Sequence, residues 1–164
     1  MISLLLVTTS GHDFAFRRED IETVLQLPRL TRQPGDISLI EGWMNLRGET
    51  LPVISLADVL DLPPQPVALS DHLVLTGERP RVIWRVARVE GLGEVSWESL
   101  RLMEHAADPN PRYVAQFSLD GSTTVNLLNV ASLLLAEEQQ RLKVAQERRQ
   151  SRLQELEGAE ESHV

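Results

Sequence analysis

Apolar runs too short for helices, broken by turn residues about every ten positions, dominate this chain as far as Leu128, and that spacing predicts antiparallel strands. Ile2 to Thr8 reads as a strand, Ser10-Gly11 turns it, and His12 to Phe16 alternates with Phe14 and Phe16 on one face. Glu19 to Leu25 places Ile21, Val24 and Leu25 at helical spacing behind an acidic first turn, so a short helix ended by Pro28 is predicted there. After a turn at Pro34-Gly35, the runs Ile40 to Leu46 and Leu51 to Ile54 flank a charged corner, Arg47-Gly48. That is the pattern of a tight hairpin with Arg47 at its tip. Ser55 can then cap a helical turn, with Asp58 three residues on, and Pro63, Pro64 and Pro66 stop it and mark a boundary.

A second set of strands follows: Leu73 to Thr76, Arg81 to Val89 after a Gly77 corner, and the pair Tyr113 to Leu119 and Thr123 to Leu128 around Asp120-Gly121. The "GLGE" at 91 to 94 reads as a turn. Short strands at this spacing indicate an antiparallel β barrel or sandwich. From Val130 the pattern changes, and a stretch free of Gly and Pro and rich in Leu, Ala, Glu, Gln and Arg predicts one helix to about Glu157. Its first two turns are apolar enough to pack on the β domain. Beyond Leu135 the apolar positions thin to Leu142, Ala145, Leu153 and Leu156, with Arg149 where a heptad wants an apolar residue, so a solvated, fraying extension is expected before a coiled coil.

Composition narrows the function. The 164 residues are 42% hydrophobic and 24% charged, ordinary for a globular protein. The absence of cysteine excludes a disulfide framework, a thiol nucleophile and thiolate metal ligation, and it fits a reducing compartment. The apolar start lacks a basic n-region and the run at 127 to 136 is too short for a membrane span, so a cytoplasmic protein is expected. A net charge of -8, spread along the chain, disfavours a general nucleic-acid or anionic-membrane binder.

No catalytic constellation emerges. His12, His72, His105 and His163 fall on unrelated segments without metal-ligand spacing, and "GLGE" lacks the third glycine and following helix of a phosphate cradle. No catalytic residue, metal or cofactor is therefore expected. The densest basic cluster, Arg79, Arg81, Arg85 and Arg88, alternates with Val82, Trp84 and Val86. It reads as an exposed strand whose arginines meet acidic neighbours, as an arginine-lined protein-binding edge, or as a nucleic-acid face with Trp84 as stacking platform. Arg47 has two readings as well: its fork can satisfy the hairpin's carbonyls or pair with Glu41 or Glu49, or it can anchor an interface.

The run "GWMNLRGETLPVISL", preceded by "IETVLQLPRLTRQPGDI" and followed by the Pro-rich break, resembles the CheW-like domain of bacterial chemosensory adaptors. Gly42, Asn45, Leu46, Arg47, Gly48, Pro52, Val53 and Leu56 fall on that family's G-x-x-N-L-R-G-x-x-x-P-V pattern and its continuation. Looser likeness extends over residues 2 to 136. The resemblance implies a mainly β fold of two small five-stranded β barrels sharing a core, with short helices; the Pro-rich break puts their boundary near 62–70, and the terminal helix over 137–164 is left as an extension beyond the likeness. The resemblance implies no catalysis and no cofactor. The implied partners are a CheA-type histidine kinase, bound mainly through the first barrel, and the cytoplasmic tip of a chemoreceptor, bound in the groove between barrels, with other CheW-like proteins as a further class. Asn45, Arg47 and Glu49, with Ile21 and Thr23 where the family has V-x-E, are the implied protein-contacting residues, joined by Trp84 and Arg85 on the central strand. Thr23 stands for the usual glutamate, Ser55 and Ala57 stand where D-L-R is common, and Ala87 replaces an aspartate. These departures point to a divergent adaptor serving a pilus, surface-motility or accessory array. The competing expectation is a small β-barrel nucleic-acid binder using Arg81, Arg85 and Arg88.

Overall fold

A computed structural model describes residues 1–26, 38–77, 81–103 and 110–161. The expected stop at Pro28, the Pro34-Gly35 turn, Arg79, His105 and His163 lie outside the described residues. In chain order the strands are β1 (Ile2–Thr9), β2 (His12–Arg17), β3 (Ile21–Gln26), β4 (Ile40–Leu46) and β5 (Glu49–Ser55). After helix α1 (Leu56–Val59) come β6 (His72–Thr76), β7 (Ile83–Val86), β8 (Arg88–Val95), β9 (Arg101–Leu102), β10 (Tyr113–Leu119) and β11 (Thr123–Leu128), and the long helix α2 (Ala136–Glu161) closes the described chain.

These strands make two sheets, one of six strands in the order β8-β1-β2-β11-β10-β9 and one of five in the order β3-β6-β7-β5-β4. The pairings are antiparallel except β11 with β2 and β5 with β7. The fold is thus mainly β with two sheet units, as the pattern and the resemblance imply, although the sheets are not closed barrels. Each sheet keeps a cluster of its own. Leu4, Ala15, Phe117, Val125 and Leu127 fill the first, and Leu51, Val53, Leu73, Leu75 and Ile83 fill the second. Between the sheets lies a shared core in which Leu5, Val7, Phe14 and Phe16 meet Ile54, Leu56, Val74, Trp84 and Val86. Each fully buried side chain of this size contributes about 1.5–3 kcal/mol, so the shared core fuses the two units into one body.

Four local expectations are corrected. Ile21–Gln26 is a strand, not part of a helix over Glu19 to Leu25; only Arg18–Asp20 makes a single 3-10 turn. β-Branched Ile21, Thr23 and Val24 are stiff in a helix, and the strand turns Ile21, Thr23 and Leu25 inward against β6, with Thr23 opposite Leu75 and Leu25 opposite Leu73. The run Arg81 to Val89 is not one strand, because the chain bends at Ala87 and passes from β7 in the second sheet to β8 in the first. "GLGE" lies inside β8, where Gly91 adopts φ 130° at an irregularity opposite Leu6 and Val7, a backbone position that glycine alone takes without strain. The Pro-rich stretch near 62–70 does not divide the sheets. It links α1 to β6 within the second one, and the crossings fall at residues 18–20 and at Ala87.

The C-terminal helix also starts later than its sequence suggests. Val130–Ser132 is a 3-10 turn, Leu133 and Leu134 are buried in the shared core, and α2 begins at Ala136. The Asn129 N–H donates to the Arg112 carbonyl at 2.8 Å, holding the chain at the end of β11, and the Leu135 N–H donates to Glu138 Oε1 at 2.9 Å, closing the helix start.

Candidate protein-interaction site

The β4–β5 hairpin is built around its turn. Arg47 and Gly48 have φ 52° and 84°, the doubly left-handed turn that matches strand twist, and Asn45 Oδ1 accepts the Gly48 N–H at 3.0 Å. Within the N-L-R-G run, then, asparagine pins the turn, glycine takes the second left-handed position, and Leu46 packs beside the second sheet's own cluster. Arg47 is held on a left-handed residue that costs a non-glycine side chain about 1–2 kcal/mol. Its guanidinium is exposed and makes no hydrogen bond or ion pair among the described residues. Of the other motif positions, Gly42, Pro52, Val53 and Leu56 are buried, and Pro52 sits one residue before pairing with β7 begins at Val53, where its missing N–H is not needed.

Arg47 lines a recess of about 370 Å³ with Glu22, Thr23, Leu25, Leu46, Glu49 and Arg81. Arg81 clasps its two walls: its Nε donates to Glu49 Oε1 at 2.8 Å, its Nη2 to Glu22 Oε1 at 3.2 Å, and its Nη1 also pairs with Glu22. The Arg81 hydrogen bond, with the charges of Arg81 and Arg47, holds the Glu22 carboxyl below the usual carboxylate range. Pairs this exposed add little to stability, so their main effect is to fix the recess's shape and leave Arg47 as the cation there without an ion pair among the described residues. The structure therefore brings Thr23, Arg47 and Glu49 together, with Asn45 at the turn above them and Ile21 two residues along β3.

Trp84 and Arg85 do not join them. Trp84 is fully buried, its indole N–H donating to Thr76 Oγ1 at 3.2 Å, and Arg85 is 2% exposed. Arg85 Nε and Nη2 reach the two Glu41 oxygens at 2.8 and 3.0 Å, Nη1 reaches Asp71 Oδ2 at 2.8 Å, and Nη2 reaches the Gln65 carbonyl at 2.6 Å. Burial opposes the charge, but Glu41 and Asp71 outweigh it and raise the Arg85 pKa. Neither residue presents a surface to a partner. With Arg81 clasped and only Arg88 of the three arginines largely exposed, the expected basic nucleic-acid face does not form.

A groove of about 650 Å³ runs at the open end of the first sheet, where Ile2, Ile21, Trp97, Leu100, Leu102 and Val114 supply apolar walls and Arg17, Arg18 and Glu19 a polar rim. Trp97 is 66% exposed, an unusual position for a tryptophan. Sequence reasoning missed this groove because its walls come from separate elements; the isolated Trp97 between two strand regions was its one sequence signal.

α2 is not a freely solvated extension in its first half. Leu142 is buried and Ala145 packs at the margin of the shared core, Gln146 Nε2 donates to the Thr50 carbonyl at 3.1 Å, and the Arg149 guanidinium lies 5.0 Å from the centre of the Trp43 ring. Arg149, which breaks the heptad, is thus a cation–π partner worth about 0.5–1 kcal/mol. Against that, Trp43 Nε1 and Thr50 Oγ1 are buried without a hydrogen-bond partner among the described residues, at about 1–3 kcal/mol each.

Among the described residues no group of His, Asp and Glu could hold a metal ion, and no helix is long and apolar enough to cross a membrane. Two fused β units thus carry an exposed arginine on a pinned turn and, apart from it, an apolar groove. The model of the CheW-like domain matches residues 3–138, and the chain belongs to that family. Among solved structures it is similar to the scaffolding protein TtCheW from Thermoanaerobacter tengcongensis, at 15% identity and a TM-score of 0.70 over 80% of this chain and 91% of that one. No curated protein matches the chain.

Proposed function

We propose that this protein is a non-catalytic, cytoplasmic chemosensory scaffold that couples a chemoreceptor's cytoplasmic tip to a CheA-type histidine kinase. The observation that carries the reading is the Arg47 guanidinium, exposed and unpaired among the described residues at the mouth of the recess formed by Glu22, Thr23, Leu25, Leu46, Glu49 and Arg81. Arg81, the other cation lining that recess, is already spent on Glu22 and Glu49, so Arg47 is the group left to meet a carboxylate or carbonyl on a partner. The kinase contact is assigned to this recess, with Asn45 and Glu49 fixing its rim and Ile21 and Thr23 its β3 side. The receptor tip is assigned to the apolar groove, whose polar rim suits an amphipathic helical hairpin.

Family membership and the likeness to a scaffolding protein's fold support the adaptor class. Thr23 in place of the family's glutamate removes a charge from the kinase side, which points to a partner other than that of a main swimming pathway; a pilus, surface-motility or accessory array fits best. Other CheW-like proteins are a further partner class.

The test is capture from native lysate with the full chain as bait, repeated with Arg47→Ala. Recovery of a CheA-type kinase or a receptor by the wild type, reduced at least about tenfold by the variant, supports the reading. Recovery of none of a kinase, a receptor or another CheW-like protein removes it.

A further inference from the structure

The family match ends at residue 138, so nearly all of α2 lies beyond the matched domain. Its hold on the body is narrow. At its first turn Gln139 Nε2 donates to the Ala131 and Leu134 carbonyls at 3.3 and 3.1 Å; farther along, Leu142 is the α2 side chain inside the shared core among the described residues, Ala145 touches its margin, and Gln146 adds a hydrogen bond and Arg149 a cation–π contact.

The surface beneath is poorly served by that cover. Trp43 Nε1 and Thr50 Oγ1, on the hairpin that α2 touches, are both buried without a partner among the described residues. Nor is the helix flush with the sheet: a gap of about 330 Å³ separates Gln139, Lys143 and Gln146 from Arg81. Arg81 lines both this gap and the Arg47 recess, so the two adjoin at its side chain.

We propose that α2 is a removable strap: residues 142–149 cover the Trp43–Thr50 face of the β4–β5 hairpin in the resting chain, and their release uncovers a surface adjoining the Arg47 recess, so that strap opening gates partner binding. The gating half rests on the reading of that recess as the kinase contact. A partner that needs the uncovered face binds with an affinity reduced by the fraction of chains whose strap is open, and any change that weakens the strap restores that fraction.

Amide hydrogen exchange on the full-length wild type, Arg149→Glu and Arg149→Lys, each alone and with the regulatory domain of a CheA-type kinase, tests this. The amides of 140–150 should exchange through local opening, at least about tenfold faster than those of β5. Arg149→Glu should speed them a further two- to fivefold, Arg149→Lys much less, with β10 and β11 unchanged. The kinase domain should bind Arg149→Glu more tightly by the same factor. Protection of α2 equal to that of β5 overturns the strap, as does an opened helix with unchanged kinase affinity. Binding to none of the three proteins overturns the functional reading instead, and the exchange data alone then decide the strap.

Discussion

Arg85 Nη1 lies 2.8 Å from Asp71 Oδ2, and both side chains are 2% exposed, so the pair is sealed between β7 and the link that precedes β6. Together with Glu41 and the Gln65 carbonyl, it ties the Pro-rich stretch to the second sheet, where prolines cannot form ladder bonds of their own. Asp71→Ala leaves a buried cation with one partner fewer and should lower stability by about 3–5 kcal/mol, read by urea denaturation. It should also open residues 63–70 to proteolysis before the rest of the chain.

At position 47 the backbone and the side chain have separable roles. Arg47→Gly removes the left-handed strain and should leave stability equal or about 1 kcal/mol higher, whereas Arg47→Val, β-branched at φ 52°, should lower it. Both lose the guanidinium and should weaken the captured complex alike. Equal stability of all three proteins by thermal denaturation would contradict the turn geometry.

Asn45→Ala deprives the Gly48 N–H of its acceptor and should cost about 1 kcal/mol. Asn45→Asp keeps an acceptor and should recover most of it, a comparison that chemical denaturation resolves.

The Glu22–Arg81 clasp makes the recess acid-sensitive. Glu22 titrates lower in the folded chain than in the unfolded one, so its contribution is present above the unfolded carboxylate pKa and is lost as pH falls through the lower folded value. The stability difference between wild type and Glu22→Gln should therefore be constant from neutral pH down to the usual carboxylate range and vanish below it. Added salt should shrink it as well, since the pair is exposed.

How much of this was legible depended on whether neighbours in sequence were neighbours in space. The β1–β2, β4–β5 and β10–β11 hairpins could be read because each carries its own turn chemistry, Ser10-Gly11, Arg47-Gly48 and Asp120-Gly121, all at positive φ. β3 could not, because Ile21, Val24 and Leu25 fit a helix as well as a strand until β6 supplies a ladder. The exposed side of the candidate site was visible in the N-L-R-G run, but Trp84 and Arg85 were placed outside when their strand is central in its sheet, flanked by β5 and β6. Alternating arginines read as a wet face; Glu41 and Asp71, distant in sequence, make a buried one tolerable. Arg149 is the same lesson in α2, a charge that disqualified a heptad and instead rests on Trp43.

The second sheet is drawn wholly from residues 21–86, whereas the first needs β1 and β2 from the start of the chain and β8 to β11 from after Ala87. On a ribosome, the opening hairpin therefore emerges without its neighbours, showing Phe14 and Phe16, and waits roughly 5–20 s for Thr123–Leu128 to be translated at ordinary elongation rates. The unit encoded within 21–86 is the first able to mature, and the β1–β2 hairpin is the stretch that a chaperone would have to shelter.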